Sequence, residues 1–550
     1  MEKGETIVEV FARMKQSRTA RMLAVLAGLT LGAAGSFAPA EAAASATAAA
    51  VANDLSRPNA AQVQLFDDEV TAREQRQAAR PQQAPVTHTP APVTHATAPA
   101  AAKPAASTAP AAAKPAASTA PATAPAQAKS VQPSRLFVPV EQLVVKSYPG
   151  MTESQLTNVI PEAKKKIVSI HRLSKQVQFL NDGGAMHAHA DFQRGTSGYI
   201  LTLTAEKAHP EQTTLTVSNT GNDYTGNWRT ALSYVNRNVT HQADTVGLAF
   251  VTSPSAGHIK DVKQAAFAYR IPVPKSSDAW TFTASYSDVD LGSVIQEGGI
   301  DFGASGKGKT AAIHYQRNLA YTSHEKDGWD FGVNYWNMTN DYSYRASGSS
   351  SGDETDYNAT TANATFFHND RDARHSFSYQ AGIETSLTVA GDYQRATTGS
   401  DKRFQLYKAG MNYSYRTPDD WIFGLRWNGQ YTNKNIVSCL QLGAGGRTTV
   451  RGFMERAIAA DKGILGSLEI YTPQFAPGSR FVFFLDGASL SNNNENAYFD
   501  HQSIASYGIG YRYQTKNVSV ALDYAGILKD LDDENDQQHK RWNFLASWSF

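Results

Sequence analysis

From residue 209 to its last residue the chain keeps returning to one pattern. Segments of roughly ten residues alternate apolar and polar side chains, and clusters of Gly, Asn, Asp and Ser part them. In Trp421 to Tyr431, the side chains of Trp421, Phe423, Leu425, Trp427 and Tyr431 share one face, and Gly424, Arg426, Asn428 and Gln430 share the other. Tyr507 to Gln514 repeats the pattern, and so does Val518 to Tyr524, with Ser519 and Asp523 on its polar side. In the last segment Trp542, Phe544, Ala546, Trp548 and Phe550 oppose Arg541, Asn543, Ser547 and Ser549. A period of two is that of a β-strand, and about ten tilted residues cross a bilayer. Aromatic residues gather near the strand ends, as lipid-facing girdles do, and the other faces suit a polar lumen. In hydrocarbon an open sheet edge would leave backbone groups unpaired, so such a sheet must close. The pattern predicts an all-β transmembrane barrel of about 16 antiparallel strands over 209–550. Their expected starts are near 213, 227, 243, 260, 279, 309, 327, 355, 373, 403, 421, 463, 479, 504, 518 and 540.

Composition agrees. Only 41% of residues are hydrophobic, and no run of 18 apolar residues occurs after the first 50, which argues against a helical membrane protein. The net charge of +1 gives no global field toward nucleic acid. A single cysteine, Cys439, can form no internal disulfide and no cysteine-based zinc site. At the N-terminus, Arg18 and Arg21 precede the apolar run MLAVLAGLTLGAAGSFA, and small residues near Ala43 offer a cleavage site. Residues 1–43 therefore read as a signal peptide. Residues 44–80 hold a short helical signal from Pro58 to Arg80, with Val63, Leu65, Phe66 and Val70 near helical spacing. Residues 81–134 are a Pro/Ala-rich linker. Residues 135–208 read as a compact α+β module in the order β-α-α-β-β, with a capping box from Thr152 to Gln155.

Arg447 to Gly463, RTTVRGFMERAIAADKG, is far too long for a tight turn between two membrane strands. It resembles the sixth extracellular loop of the Omp85/two-partner-secretion superfamily, which folds back into the barrel and carries a V-R-G-F/Y tip. Here that tip is Val450, Arg451, Gly452 and Phe453, after the pair Gly445-Gly446. Two strands on, FVFFLDGA resembles the family's wall motif F-x-D, as Phe484, Leu485 and Asp486. The resemblance implies that Arg451 pairs with Asp486. A charge inside a barrel needs such a partner, and a guanidinium can bind a carboxylate through two parallel hydrogen bonds. The segment with Asn222, Thr225 and Gly226 resembles the first barrel hairpin of the transporter branch, and the α+β module a periplasmic POTRA domain. The N-terminal helix resembles a plug helix. One departure is that the family usually carries two POTRA domains, and only one is evident. A chain that ends on an aromatic such as Phe550 inside its last strand is a feature of bacterial outer-membrane barrels.

The resemblance implies a TpsB transporter of the haemolysin secretion/activation type in the bacterial outer membrane, with its POTRA domain in the periplasm. It would capture one unfolded TpsA-like exoprotein, an adhesin or haemolysin, and pass it through the barrel. The implied partners are that client, outer-membrane lipid, periplasmic chaperones and the barrel assembly machinery, with no nucleic acid. An Omp85 factor that inserts other barrels and a passive porin are the alternatives. No catalytic signature, cofactor or metal site is expected. Gly303 to Thr310 satisfies the phosphate-loop pattern, but alternating residues follow it where a helix is required, so it reads as a hairpin loop. His187 and His189 share one strand face and lack an evident third ligand.

Overall fold

The computed structural model describes residues 137–147, 151–273, 276–297, 300–346, 349–396, 399–494, 497, 499–531 and 539–550. The signal peptide, the expected N-terminal helix and the whole linker lie outside the described residues.

The module comes first. Its elements are β1 (Phe137–Lys146), α1 (Glu153–Val159), β2 (Ile167–Ser169), α2 (Ile170–Asp182), β3 (Met186–Arg194) and β4 (Tyr199–Lys207). The sheet order is β2-β1-β4-β3, with β1 parallel to β4. The Thr152 capping box is formed: Thr152 Oγ1 accepts from the Gln155 N–H, and Gln155 Oε1 from the Thr152 N–H. Pro161 cannot continue α1, because its ring lacks an N–H and clashes with the preceding turn. A 3-10 turn over Pro161–Lys164 follows instead. The order β-α-α-β-β is corrected by one element, because the three residues of β2 pair with Phe137, Val138 and Pro139. So short an edge strand carries too few residues to show alternation. Leu156, Ile160, Leu173, Leu180, Leu201 and Leu203 form the core between sheet and helices.

Sixteen antiparallel strands then close into one barrel. They begin with β5 (Glu211–Ser218), β6 (Arg229–Asn236), β7 (Thr245–Thr252), β8 (Val262–Pro272), β9 (Ala279–Glu297) and β10 (Ile300–Tyr321). Next come β11 (Glu325–Ala346), β12 (Ser349–Arg371), β13 (His375–Gly391), β14 (Gln405–Arg416) and β15 (Ile422–Tyr431). Three short strands, β16 (Leu442–Ala444), β17 (Gly452–Phe453) and β18 (Ile458–Ala460), stand outside the barrel ladder. The wall resumes with β19 (Lys462–Tyr471), β20 (Ser479–Ser491), β21 (His501–Gln514) and β22 (Val518–Lys529). After the two residues of β23 (His539–Lys540), β24 (Trp542–Ser549) completes it. The seam pairs β24 with β5, and Phe550 extends it by exchanging two backbone hydrogen bonds with Thr213 at 2.9 and 3.0 Å.

Outward positions carry Leu232, Phe250, Phe331, Phe423, Leu468, Phe483 and Ile509, all exposed, as an exterior that meets lipid requires. Among the described residues no helix is long and apolar enough to cross a membrane. Two strands start earlier than the pattern predicts, at Ile300 and Ser349. They belong to the group β9 to β12, whose strands run 19, 22, 22 and 23 residues, about twice a bilayer crossing. Beyond the lipid nothing enforces apolar alternation, so Gly- and Ser-rich sequence forms strand unannounced. For the same reason Gly303 to Thr310 is not a hairpin loop: it lies inside β10, paired with both β9 and β11. The interior departs from a uniformly polar lumen as well. Inward-facing Met338, Tyr357 and Leu406 bury with Tyr393 of the short helix α3 (Tyr393–Ala396) and with Ile436, Val437 and Leu440.

The module docks on the barrel end where β5 begins. Lys175 of α2 donates to the carbonyls of Asn318 and Leu319 at 2.6 and 3.2 Å. Asp182 pairs with Lys326 at 2.8 Å. The Phe179 ring lies edge-on to Tyr321, with the Arg270 guanidinium 4.7 Å from its centroid. We predict that Leu485→Arg, a charge on the lipid face at the middle of β20, costs about 2–4 kcal/mol of barrel stability. Urea titration of the folded fraction in cold SDS electrophoresis checks this, and a wild-type midpoint would refute the lipid-facing assignment.

Candidate functional site

The site is built by the loop between β15 and β19, residues 432–461. The loop is long because its tip must reach the middle of the wall. Strands β16 and β18 pair as an antiparallel stem, Leu442 to Ala460, Gly443 to Ala459 and Ala444 to Ile458. Gly445 and Gly446 then turn the chain at φ of +113° and +93°, a region that favours glycine. Thr449 Oγ1 accepts from the Gly445 N–H and donates to its carbonyl. Arg451 meets the wall at Ser467, five residues below the start of β19, a descent on the order of 15 Å at ~3.3 Å per residue.

The register of three wall strands prepares the place where Arg451 lands. Asp486 stands opposite Ser467, and Phe484 opposite Glu469. On the other side Phe484 pairs with Gly508, where a Cβ would come within 2.2 Å of the Phe484 ring. Glycine there leaves the ring its space. The Arg451 guanidinium stacks on that ring, with Cζ 3.6 Å from the centroid. Nε and Nη2 donate to the two Asp486 oxygens at 2.7 and 2.8 Å, and the Arg451 N–H donates to the same carboxylate at 3.1 Å. Nη1 faces Glu469 Oε1 at 2.8 Å, and Tyr471 donates to the other Glu469 oxygen at 2.7 Å. Asp523 lies 3.8 Å from Arg451 but 2.7 Å from Arg512, so its charge belongs mainly to Arg512. Arg451 and Asp486 are both nearly inaccessible to solvent, at 3% and 1%. One cation is thus held by two carboxylates, a ring and a hydroxyl, the full pairing that a buried charge needs.

The flanking tip residues lock the position. Val450 and Phe453 are buried with Leu465, Ala488, Leu490 and Ile504 of the wall. Gly452 sits at φ +97°, where a Cβ would lie 2.9 Å from Ile527 and 3.1 Å from Ala525 of β22. Together with Phe453 it forms β17, which pairs with His539 and Lys540 of β23. Lys540 in turn donates to the Gly221 carbonyl in the first hairpin turn. There Asn222 Oδ1 accepts from the N–H groups of Tyr224 and Thr225, and Gly226 takes φ +81°. The remaining sequence-derived residue, Phe550, is far from the tip, at the seam and exposed on the outer face.

Sequence reasoning named Phe484 and Asp486 on the wall and missed three of their neighbours. Ser467, Glu469 and Tyr471 alternate inward on β19, a run of polar side chains opposite Leu468 and Ile470 that the strand pattern could have exposed. Asp461 was missed too. Fully buried at the loop base, its carboxylate accepts from the N–H groups of Ile436 and Asn493 and from the Gln441 amide. Nothing local marks it, because its partners stand 20 to 32 residues away along the chain. His187 and His189 lie exposed on β3.

A sequence profile of the haemolysin secretion/activation protein family ShlB/FhaC/HecB matches residues 197–513. The chain belongs to that family. It is an outer-membrane transporter of the two-partner secretion type, and the family is one of transporters, not of enzymes. Heme/hemopexin transporter protein HuxB of Haemophilus influenzae strain KW20 Rd is 21% identical over 410 residues, which cover 71% of this chain and 69% of the relative. A second HuxB sequence from Haemophilus influenzae is 22% identical over 60% of this chain and 58% of its own length, so the chain spans less than two thirds of that relative. Among solved structures, CdiB from Escherichia coli shares the fold with a TM-score of 0.62 at 16% identity, over 74% of this chain and 76% of that one. CdiB from Acinetobacter baumannii gives 0.61 at 17% identity, over 76% and 74%.

Removing one partner of a buried pair strands the other charge and costs about 3–5 kcal/mol. Asp486→Ala is therefore expected to release the tip while the wall stays folded. The readout is limited trypsin digestion in detergent, with new cleavage after Arg447 and Arg456. A loop as resistant as wild type would show that Asp486 does not hold it.

Proposed function

We propose that the transporter takes one unfolded exoprotein through this barrel, and that the tip at Arg451 holds the lumen in the arrangement that allows passage. The observation that carries this reading is the density of pairing at one loop residue. A surface turn would need no guanidinium sealed between Asp486, Glu469 and the Phe484 ring. An anchored tip keeps thirty loop residues, 432–461, in a defined course inside the wall. It can do so without consuming a cofactor or a nucleotide, and folding of the client outside supplies the pull.

The module serves as the POTRA domain on the periplasmic side in this reading. Its sheet ends in β3, nine residues that pair only with β4 among the described residues. A free edge accepts an extended segment through main-chain hydrogen bonds, which ignore side-chain identity and so suit an unfolded client. The client is a TpsA-like secreted protein. Periplasmic chaperones that keep it extended, the machinery that inserts this barrel, and outer-membrane lipid are the other partners.

The test is export of the client from cells that carry Arg451→Ala, with the folded barrel quantified in the outer membrane. Export should fall by on the order of tenfold or more, with the client retained in the periplasm, and Arg451→Lys should restore little, since an ammonium cannot make the two-pronged contact. Full export at normal barrel levels would overturn the role of the tip.

A further inference from the structure

A cleft of about 740 Å³ opens where the module meets the barrel. Its walls are the 3-10 turn and α2 on one side, and the chain before β9 with the base of β10 on the other. Strand parity puts it on the outer face of the rim. On β10, Ile313, Tyr315, Arg317 and Leu319 share one side, and Ile313 and Leu319 are exposed as lipid-facing residues are. Asp278 and Trp280 share the same side of the neighbouring chain, since Tyr315 donates to Asp278 at 3.0 Å and its ring lies 4.8 Å from the exposed Trp280. Ala279, between them, points the other way and is buried with Tyr321 and Phe179 of α2. Helix α2 therefore crosses the rim, with Phe179 on the lumen side and Arg172, Lys175 and Gln176 on the lipid side. Trp329 of β11, opposite Arg317, is exposed as well. With Trp280 and Tyr315 it makes an aromatic girdle, the mark of headgroup depth.

The charges in the cleft are unbalanced. Lys165, Arg172, Lys175 and Arg317 line it against only two carboxylates, Glu162 and Asp278. Both carboxylates are engaged. Glu162 accepts from Lys165 and from the Ser169 N–H, and Asp278 from Tyr315 and from the Asn318 N–H. Lys175 is spent on two barrel carbonyls. Arg172 and Arg317 remain, both exposed, and neither has a carboxylate partner among the described residues. Other arginines on this rim are matched: Arg416 and Arg480 share Asp420. Two unmatched guanidinia at headgroup depth are complementary to a phosphodiester, whose oxygens fit the guanidinium fork.

We propose that the cleft binds the phosphodiester of an anionic phospholipid from the periplasmic leaflet, with Arg172 and Arg317 as its donors. The acyl chains run up the wall past Trp280, Tyr315 and Ile313, where the surface is already apolar. Basic pockets at the membrane surface recognise lipid head groups in this way. One donor belongs to the module and the other to the barrel, so the bound lipid bridges the two. It holds α2 against the rim and sets the height of the module over the membrane, leaving the lumen mouth beside Phe179 untouched. The proposal rests on the reading that the module lies on the periplasmic side.

The test is native mass spectrometry of the full-length protein in detergent micelles, titrated with dioleoylphosphatidylglycerol and, separately, with dioleoylphosphatidylcholine. The wild type should retain phosphatidylglycerol in preference to phosphatidylcholine. Arg172→Ala combined with Arg317→Ala should cut that retention by on the order of tenfold, while cold SDS electrophoresis shows the barrel folded. Arg374→Ala, in the turn 372–374 of the same rim but outside the cleft, should leave it unchanged. Equal retention of the two lipids by the wild type, an unaltered double variant, or an equal loss in Arg374→Ala would overturn the proposal. Release of phosphatidylglycerol by excess inorganic phosphate would overturn it in favour of a free-anion site. The leaflet is scored apart, by protease added to intact cells: protection of the module is expected, and its digestion would overturn the periplasmic placing whatever the retention. Export of the client by the double variant, measured separately, keeps failure of the lipid site distinct from failure of the transport reading.

Discussion

Arg451 is a cation placed where water is scarce, and the loop, the wall register and the glycines around it follow from that. A guanidinium cannot lose its charge at any physiological pH, so the barrel must supply carboxylates at fixed positions. Asp486 supplies both oxygens and Glu469 a third. Tyr471 steadies Glu469, and Gly508 makes room for the ring beneath the guanidinium. Each of these residues is of the type that the one charge above it demands. The pairing need not add net stability, since burying ions costs as much as pairing them returns. What it adds is a single position for the tip, because the two oxygens of Asp486 and one of Glu469 stand at fixed places on the wall.

That fixed position has consequences at a distance. The tip forms a two-residue ladder with β23, and β23 reaches the first hairpin through Lys540. The loop base is held independently by Asp461. The tip therefore touches the wall on β19, β20 and β22 and, through β23, the turn beside the β5 seam. A motion that frees Arg451 loosens contacts on both sides of that seam. Around β11, β12 and β14 a second apolar cluster, with Tyr357, Tyr393 and, from the tip's own loop, Val437, fills space that the alternation had assigned to water. The interior is thus a set of packed loops lodged on a polar wall.

At the other end, the module is joined to the barrel by cation–carbonyl, ion-pair and aromatic contacts, with Phe179 buried against Ala279 and Tyr321. Such a joint orients the module without fusing it to the wall.

The wall was legible in the sequence because lipid imposes one rule on every strand: apolar residues out, period two, about ten residues long. Most strand starts, the closure at Phe550 and the capping box at Thr152 follow from such local rules. Where lipid stops acting, at the outer ends of β10 and β12, the sequence falls silent and the strands run on. The arginine tip and its aspartate were legible only as a resemblance between two motifs more than thirty residues apart. Their meeting depends on the register that sets Asp486 against Ser467 and Phe484 against Glu469, and register is a property of paired strands, not of either strand alone. Glu469, Tyr471 and Asp461 became partners for the same reason. By itself the sequence determined a closed membrane wall, because every residue facing lipid obeys the same solvent. Only the tertiary structure decided which inward charges meet, because that choice belongs to the shear of the barrel and the depth to which one loop descends.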